Sequence, residues 1–290
     1  MTLATAYRIG QWLVTHLPRS AAYAIASSLA VLQYRLAHED RRAVYRNLAV
    51  ILGEGHPDIP KMAQAVFVNF GKYLVDFLRF DEVDRRFVNS RVTFEGRQYL
   101  DEALRRGRGA MILSAHLGNY ELGAAIAAVV GYPTHIIVLN HLNPEIEAIF
   151  QRQRRGRGVH AIAVGMALRQ VFACLRRNEV LGILADRDFF DNGIQMEFLG
   201  KRMNIPKGPA QFSIRTGASI VPTFVIREPD DRFRFIMEPP IIPEPGRDEA
   251  AEVERLTKVC ITVLERYIRR YPSQWYLFRD FWRPGPWVIQ

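Results

Sequence analysis

Four short runs that are apolar almost throughout, at residues 110–114, 135–139, 180–185 and 220–225, limit the folds open to this chain more than any other feature. Each is too short for a core helix and too continuously apolar for a strand with one wet face. Strands of that kind are buried on both sides, which requires a layer of helices above and below them. Helical stretches do lie between them, at residues 121–130, 144–152 and 167–177. Strands alternating with helices point to the α/β class: a central, mainly parallel sheet flanked by helices. Residues 234–238, just before Pro239-Pro240, read as an edge strand, and a long amphipathic helix is expected over 248–270, stopping before Pro272.

Residues 1–80 have a different character. Apolar residues recur at helical spacing from Ala43 to Leu52 and again from Met62 through Val66, Phe67, Phe70, Leu74 and Phe77 to Leu78, with Gly53, Gly55 and Pro57 between the two stretches. No internal repeat and no long polar linker divides the chain. Residues 1–290 are therefore expected to form a single domain, with 1–80 as a helical N-terminal subdomain. Within it, residues 20–34 carry no charge and are bounded by Arg19 and Arg35. The stretch falls short of the roughly 20 apolar residues that span a bilayer and lacks the small-residue cleavage context of a secretory signal. A helix lying in the membrane interface, with its flanking arginines among the headgroups, is expected; a buried core helix is the alternative.

Of the 290 residues, 49% are hydrophobic and 24% charged, a folded and globular balance. The formal net charge of +9 is carried mostly by arginine, with clusters at Arg105, Arg106 and Arg108 and at Arg152, Arg154, Arg155 and Arg157. Such a surface suits a polyanion: an anionic membrane, a phosphate-bearing substrate or a nucleic acid. Cys174 and Cys260 sit in apolar helical patterns, with neither a disulfide framework nor zinc-ligand spacing, and read as core residues in a reducing compartment.

The chemistry begins where the first buried strand ends, in Leu113-Ser114-Ala115-His116-Leu117-Gly118-Asn119-Tyr120-Glu121. Reactive groups in open α/β sheets gather at the carboxyl ends of strands, and His116 falls there. Gly118 permits a tight turn and Asn119 is a good helix cap. Positions five apart do not share a helix face, so His116 and Glu121 meet only if the histidine lies in the turn. His116 would then take a proton while Glu121 holds its ring in one tautomer. Helix amides near Gly118 and Asn119 would face a developing oxyanion.

The order of sequence blocks resembles the bacterial lipid A biosynthesis acyltransferase family, which includes the late lauroyl and myristoyl transferases and the phosphatidylinositol mannoside acyltransferases. After the His-x4-Glu block come Leu184-Ala185-Asp186-Arg187-Asp188, Gly193, Glu197-Phe198-Leu199-Gly200 and Gly208-Pro209-Ala210. Then follow Arg215-Thr216-Gly217-Ala218, Val221-Pro222, Glu265-Arg266-Tyr267-Ile268 and Pro272-Ser273-Gln274-Trp275-Tyr276, with weaker likeness at Arg46-Asn47-Leu48 and in Phe67 to Gly71. The resemblance implies a glycerolipid-acyltransferase-like fold. It also implies transfer of a fatty acyl group from a thioester, acyl carrier protein or coenzyme A, to a hydroxyl of a glycolipid at the cytosolic face of the cytoplasmic membrane. It implies no metal or other cofactor and no covalent acyl-enzyme, and the chain has no Gly-x-Ser-x-Gly elbow.

By the same resemblance His116 and Glu121 are the catalytic pair. Asn119, Glu147, Arg155, Arg157, Asp186, Asp188 and Glu197 are expected to bind substrate: the arginines through donor or acceptor phosphates, Glu197 through acceptor hydroxyls, and Glu147 as a second carboxylate near His116. For Glu147 a solvated helix face is the plainer alternative, and for Asp186 and Asp188 it is turn capping. The blocks around Asp186 and Glu197 look closer to the mannoside branch, while the basic balance suits a phosphorylated lipid A precursor equally well. Two other functions compete. Asp186-Arg187-Asp188 after a buried strand has the form of an Asp-x-Asp that holds a divalent metal and a sugar nucleotide in a glycosyltransferase. The arginine clusters could belong to a nucleic-acid binder, but neither has interleaved aromatic residues for base stacking. A glycolipid acyltransferase that uses no nucleic acid is the expectation.

Overall fold

The computed structural model describes residues 3–164, 167–188 and 192–282. The N-terminal quarter is helical, as its periodicity predicts: α1 (Leu3–His16), α2 (Arg19–Leu36), α3 (His38–Leu52), α4 (Ile59–Leu78) and α5 (Arg85–Arg91). Small residues let α2 and α4 approach closely. A β-carbon at Gly71 of α4 would come within 3.1 Å of the Ala26 carbonyl and 3.3 Å of the Ala30 side chain. The small face of α2 is thus buried, and its larger apolar residues point outward. None of the described helices is long and apolar enough to cross a membrane.

The remainder alternates strands and helices: β1 (Val92–Glu95), α6 (Arg97–Arg105), β2 (Ala110–Ser114), α7 (Tyr120–Val129), β3 (Thr134–Val138), α8 (Pro144–Gly156), β4 (Val159–Ala163) and α9 (Ala167–Arg176). Then come β5 (Val180–Leu184), β6 (Ile194–Phe198), β7 (Lys201–Ile205), α10 (Gly208–Thr216), β8 (Ser219–Arg227), β9 (Phe233–Met237) and α11 (Glu249–Arg270). Among the described residues, seven strands form one sheet in the order β1-β9-β8-β2-β5-β3-β4. β8, β2, β5, β3 and β4 run parallel, whereas β9 is antiparallel to β8 and β1 parallel to β9.

Alternation along β2 shows why the sheet needs two helical layers. Met111 and Leu113 enter a core shared with α9 and α11, while Ala110 and Ile112 face a second core formed with α5, α6 and α7. Every residue of β8 is buried. The four apolar runs are strands β2, β3, β5 and β8, within a residue or two at their ends, and α11 covers the predicted long helix, with Asp248 accepting from the Ala251 N–H as its cap.

The predicted edge strand at 234–238 requires correction. It is β9, paired on both sides, and the sheet edge is β1, whose exposure alternates along Val-Thr-Phe-Glu. Pro239 and Pro240 mark where β9 stops along the chain and not an unpaired side of the strand. β4 at the opposite edge and the β6–β7 hairpin were not anticipated. That hairpin turns through Leu199 and Gly200, both with positive φ (55° and 86°), the primed geometry that matches strand twist.

One buried carboxylate joins the N-terminal helices to the sheet. Asp76 of α4 accepts hydrogen bonds from Arg19 and Tyr23 of α2, from Asn119 at the cap of α7 and from Arg227 at the end of β8. A polar group this deeply buried is tolerable only when it is hydrogen-bonded, and these partners come from three separate elements.

Candidate active site

β2 delivers the chain into a turn whose every step is held. Gly118 has φ +65°, and a β-carbon there would sit 2.1 Å from the Val225 carbonyl oxygen, so glycine is required. Its N–H donates to the Gln274 carbonyl at 2.8 Å, and the Asn119 N–H to the Val225 carbonyl at 2.7 Å. The Asn119 side chain caps α7 by accepting from the Leu122 N–H at 3.1 Å. On the other side, the Tyr276 N–H donates to the His116 carbonyl at 3.0 Å. His116 is thereby fixed off the helix, at the carboxyl edge of the sheet.

The imidazole is oriented by Asp186, which follows β5. Nδ1 of His116 lies 2.8 Å from Oδ1 of Asp186, and the His116 backbone N–H donates to Oδ2 at 3.1 Å. The Trp275 indole N–H donates to the same Oδ2 at 3.0 Å. Burial opposes ionisation of Asp186, but the facing imidazole, then Arg187 and the indole N–H, hold its carboxyl far below the usual carboxylate range. A carboxylate accepts only, so the proton on His116 sits at Nδ1 and Nε2 carries the lone pair. Burial, followed by Arg187, lowers the His116 pKa, and Asp186 only partly offsets them. The result is a neutral imidazole presenting a basic Nε2 at neutral pH.

This corrects the role expected of Glu121. Its carboxylate is clasped by Arg154 of α8, from Nε at 3.1 Å and Nη2 at 2.5 Å, with both side chains buried. Burial works against the Arg154 charge, yet Glu121 raises its pKa on balance. Arg154 keeps a further buried nitrogen, Nη1, that has no partner among the described residues. Tyr120 packs edge-on against His116, ring centroids 5.3 Å apart, and burial with the Glu121 charge pushes its phenol up to about 12. Glu121 thus acts on the imidazole through space and not by contact. The amides at Gly118 and Asn119, expected to face an oxyanion, are already committed to carbonyls.

An apolar cavity opens beside this group. Ser114, Tyr120 and Glu121 line one end, and Ile112, Gly182, Ile136 and Val225 continue it between sheet and α7 as far as Thr134, at the amino end of β3.

The other predicted site residues scatter. Glu147 binds His141, at 2.9 Å from its backbone N–H and 2.8 Å from Nδ1, and takes a third bond from Gln151, instead of facing His116. Arg157 donates to the Val83 carbonyl at 3.1 Å, and Arg155 is exposed on α8. The arginine that reaches the site is their neighbour Arg154, which α8 turns inward onto Glu121 while Arg155 faces out. Asn119 is a buried cap and a partner of Asp76. Glu197 stands exposed on β6 across from Arg202. Asp188 accepts from the Gly193 N–H at 2.7 Å. The Asp-x-Asp spacing therefore resolves into a partner for His116 and an acceptor for the Gly193 N–H, which removes its main support for a glycosyltransferase. Trp275 and Arg154 were missed as site residues, although both lie in stretches singled out for other reasons.

A family model described as bacterial lipid A biosynthesis acyltransferase matches residues 1–284. The chain is 25% identical over 282 residues to the phosphatidylinositol mannoside acyltransferase of Mycolicibacterium smegmatis, spanning 95% of this chain and 90% of that protein. It is 26% identical over 287 residues to the phosphatidylinositol mannoside acyltransferase of Mycobacterium tuberculosis, spanning 96% and 87%. With a match over nearly its whole length, the chain belongs to the bacterial lipid A biosynthesis acyltransferase family and is an acyltransferase.

Proposed function

We propose that this enzyme works on a membrane surface and moves a fatty acyl group from acyl carrier protein or coenzyme A to a hydroxyl of a glycolipid, with His116 as general base. Nε2 of His116 takes the proton of the acceptor hydroxyl as its oxygen attacks the thioester carbonyl. The carbon–sulfur bond breaks, and the departing thiolate takes up that proton as the ester forms. The observation that carries this reading is the His116–Asp186 contact of 2.8 Å, with an apolar cavity nearby that Ser114, Tyr120 and Glu121 line. It joins a base of fixed tautomer to a slot that suits an alkyl chain. Glu121 and Arg154 shape the field around the reacting carbonyl. The acyl thioester is a co-substrate, and no metal or further cofactor is invoked.

Membrane attachment is supported by the outer face of the helical subdomain. Ile9, Trp12 and Leu13 on α1 and Ile25, Leu29, Leu32 and Leu36 on α2 are between 44% and 67% exposed. The α2 residues recur at four-, three- and four-residue steps along one face, a stripe suited to the acyl–headgroup boundary. Attachment to the cytosolic leaflet follows from where thioester donors reside. No part is assigned to nucleic acid. The names of the relatives favour a mannosylated phosphoinositide as acceptor, and the family description keeps a lipid A precursor beside it.

The deciding experiment presents labelled palmitoyl-coenzyme A and an acyl-carrier-protein thioester to lipid extracts in chelator, with wild type beside His116→Ala. Label should enter a mannosylated phosphoinositide or a phosphorylated glucosamine lipid with wild type only. Turnover by His116→Ala close to wild type, or no consumption of either thioester by wild type, would overturn the reading.

A further inference from the structure

At the end of the sheet opposite His116, three metal-binding side chains converge. His135 is the second residue of β3, and in the parallel ladder it lies beside His160 of β4. The two rings stack at 4.9 Å with 25° between their planes. Glu179 stands one residue before β5, and its Oε2 is 2.9 Å from Nε2 of His135. Cys174, in the last turn of α9, is a free, fully buried thiol whose nearest recorded polar contact is the Val180 carbonyl at 3.8 Å. One donor atom each from His135, Cys174 and Glu179 lies within 4.8 Å of the other two.

Packing does not account for this grouping. Around it the same face of the sheet is aliphatic, with Ile162, Val171, Leu175 and Leu181 in one core with Cys174. An aliphatic residue at 135 would serve that core at least as well as a half-buried imidazole. Nitrogen, sulfur and oxygen donors drawn from three adjoining elements instead form the mixed set that zinc accepts.

We propose that His135, Cys174 and Glu179 bind one zinc-class divalent ion, with the fourth position open to His160 or water. Zinc holds its donors at about 2.0–2.3 Å, which sets tetrahedral donor atoms about 3.3–3.8 Å apart, so the Cys174 sulfur need draw in by no more than about an ångström while the His135–Glu179 pair opens slightly. On binding, the Cys174 S–H bond is replaced by a sulfur–metal bond and the proton leaves to solvent. His135 shifts its N–H to Nδ1 and gives the Nε2 lone pair. Glu179 turns one oxygen to the ion and keeps the other on Arg177, which now bonds both, at 2.9 and 2.7 Å. Burial pushes the metal-free thiol up to about 12, so it is neutral until a cation supplies the charge that a buried thiolate needs. The ion would pin α9 to the amino ends of β3 and β5, away from the acyl-transfer site, and its role is independent of the reaction assigned to His116.

The test is titration of the full-length, chelator-stripped protein with cobalt(II) alone, followed by displacement with zinc. One equivalent should bind and give a sulfur-to-cobalt charge-transfer band with tetrahedral visible bands, and zinc should abolish both. Cys174→Ser should lose the charge-transfer band while keeping the far-ultraviolet circular dichroism of wild type. His135→Gln and Glu179→Gln should each weaken binding by about tenfold or more, on the scale known for metal-site polar partners. Should Cys174→Ser fail to fold, the surface-accessible Glu179→Gln carries the comparison. Absence of any cobalt–sulfur band in wild type, or binding that is unchanged in Glu179→Gln, overturns the site.

Discussion

Replacing Asp186 with Asn leaves an acceptor opposite Nδ1 of His116 but removes the charge that fixes the tautomer and supports the imidazolium formed during transfer. kcat should fall by about 10²–10⁴ with little change in acyl-donor KM, the scale seen when a base loses its orienting carboxylate. The pH profile separates this from a folding defect. A general base acts in its neutral form, and the His116 pKa is lowered in the fold. kcat/KM should therefore rise with pH along a limb on the acid side of about 6.5, the ordinary histidine value, and be flat at neutrality. In Asp186→Asn that limb should move further to acid, because the charge that raises the His116 pKa is gone. A limb above the ordinary histidine value in wild type would contradict this account of His116. The same shift bears on stability: the unfolded chain protonates His116 first, so its contribution is present above the unfolded pKa and is lost as pH falls below it. Arg154→Met strands Glu121 in the core without a partner and should cost about 3–5 kcal/mol in chemical denaturation. Adding Glu121→Gln should recover part of that loss, a coupling that two independent residues would not show. The sequence exposed His116 because strand, turn and cap are all local signals. Its true partner was hidden, because Asp186 comes from a neighbouring strand that meets β2 only once the sheet is ordered. Arg154 was hidden among four arginines, since only the rotation of α8 decides which one turns inward.

The elements legible in the sequence were those in the interior of the sheet, with β8 buried throughout and β2, β3 and β5 buried or half-buried at every residue. β2, β3, β5 and β8 declared themselves as continuous apolar runs, because each is covered on both faces. β1 is four residues long, wet on one face, and pairs with a strand far along the chain. Nothing within a short window distinguishes such a segment from a loop. The cavity between β5 and α7 belongs to this scale as well, because it exists only where strand neighbours leave space. Gly182 faces it beside Ile136, whose Cγ2 would be 3.1 Å from an added β-carbon. Gly182→Val should narrow the slot across its width. The kcat/KM ratio of a long to a short acyl donor should fall by about tenfold or more, the range over which apolar pockets discriminate chain increments. An unchanged ratio would mean that the acyl chain lies elsewhere. Gly118→Ala, by contrast, drives a methyl into the Val225 carbonyl at a positive φ, and should disrupt the turn and abolish activity for every donor.

At the scale of the molecule, two features of the helical subdomain serve different ends. The cluster around Asp76 fastens α2 and α4 to α7 and β8, which holds the subdomain against the edge of the sheet that carries His116. The apolar stripe of α2 faces away from that cluster, on the side opposite Tyr23 and Ala30. The proposed membrane attachment and the anchoring of the subdomain beside His116 therefore rest on separable residues of α2. A chain whose only role for these leucines is folding would lose stability when they are made polar, whereas a chain that docks through them would lose only its hold on lipid. Leu29 and Leu32 are 61% and 51% exposed, so replacing both with Glu removes little packing. The double variant should keep its melting temperature and its turnover of a detergent-dispersed acceptor. Its partition onto anionic vesicles should fall by about tenfold or more for each leucine, since full burial of one is worth about 1.5–3 kcal/mol. Salt should weaken the remaining attachment further, because what is left is held by exposed arginines such as Arg35 and Arg42. Cosedimentation of wild type and variant with vesicles at two ionic strengths measures both contributions at once. Equal cosedimentation of the two proteins would place the docking face elsewhere on the molecule.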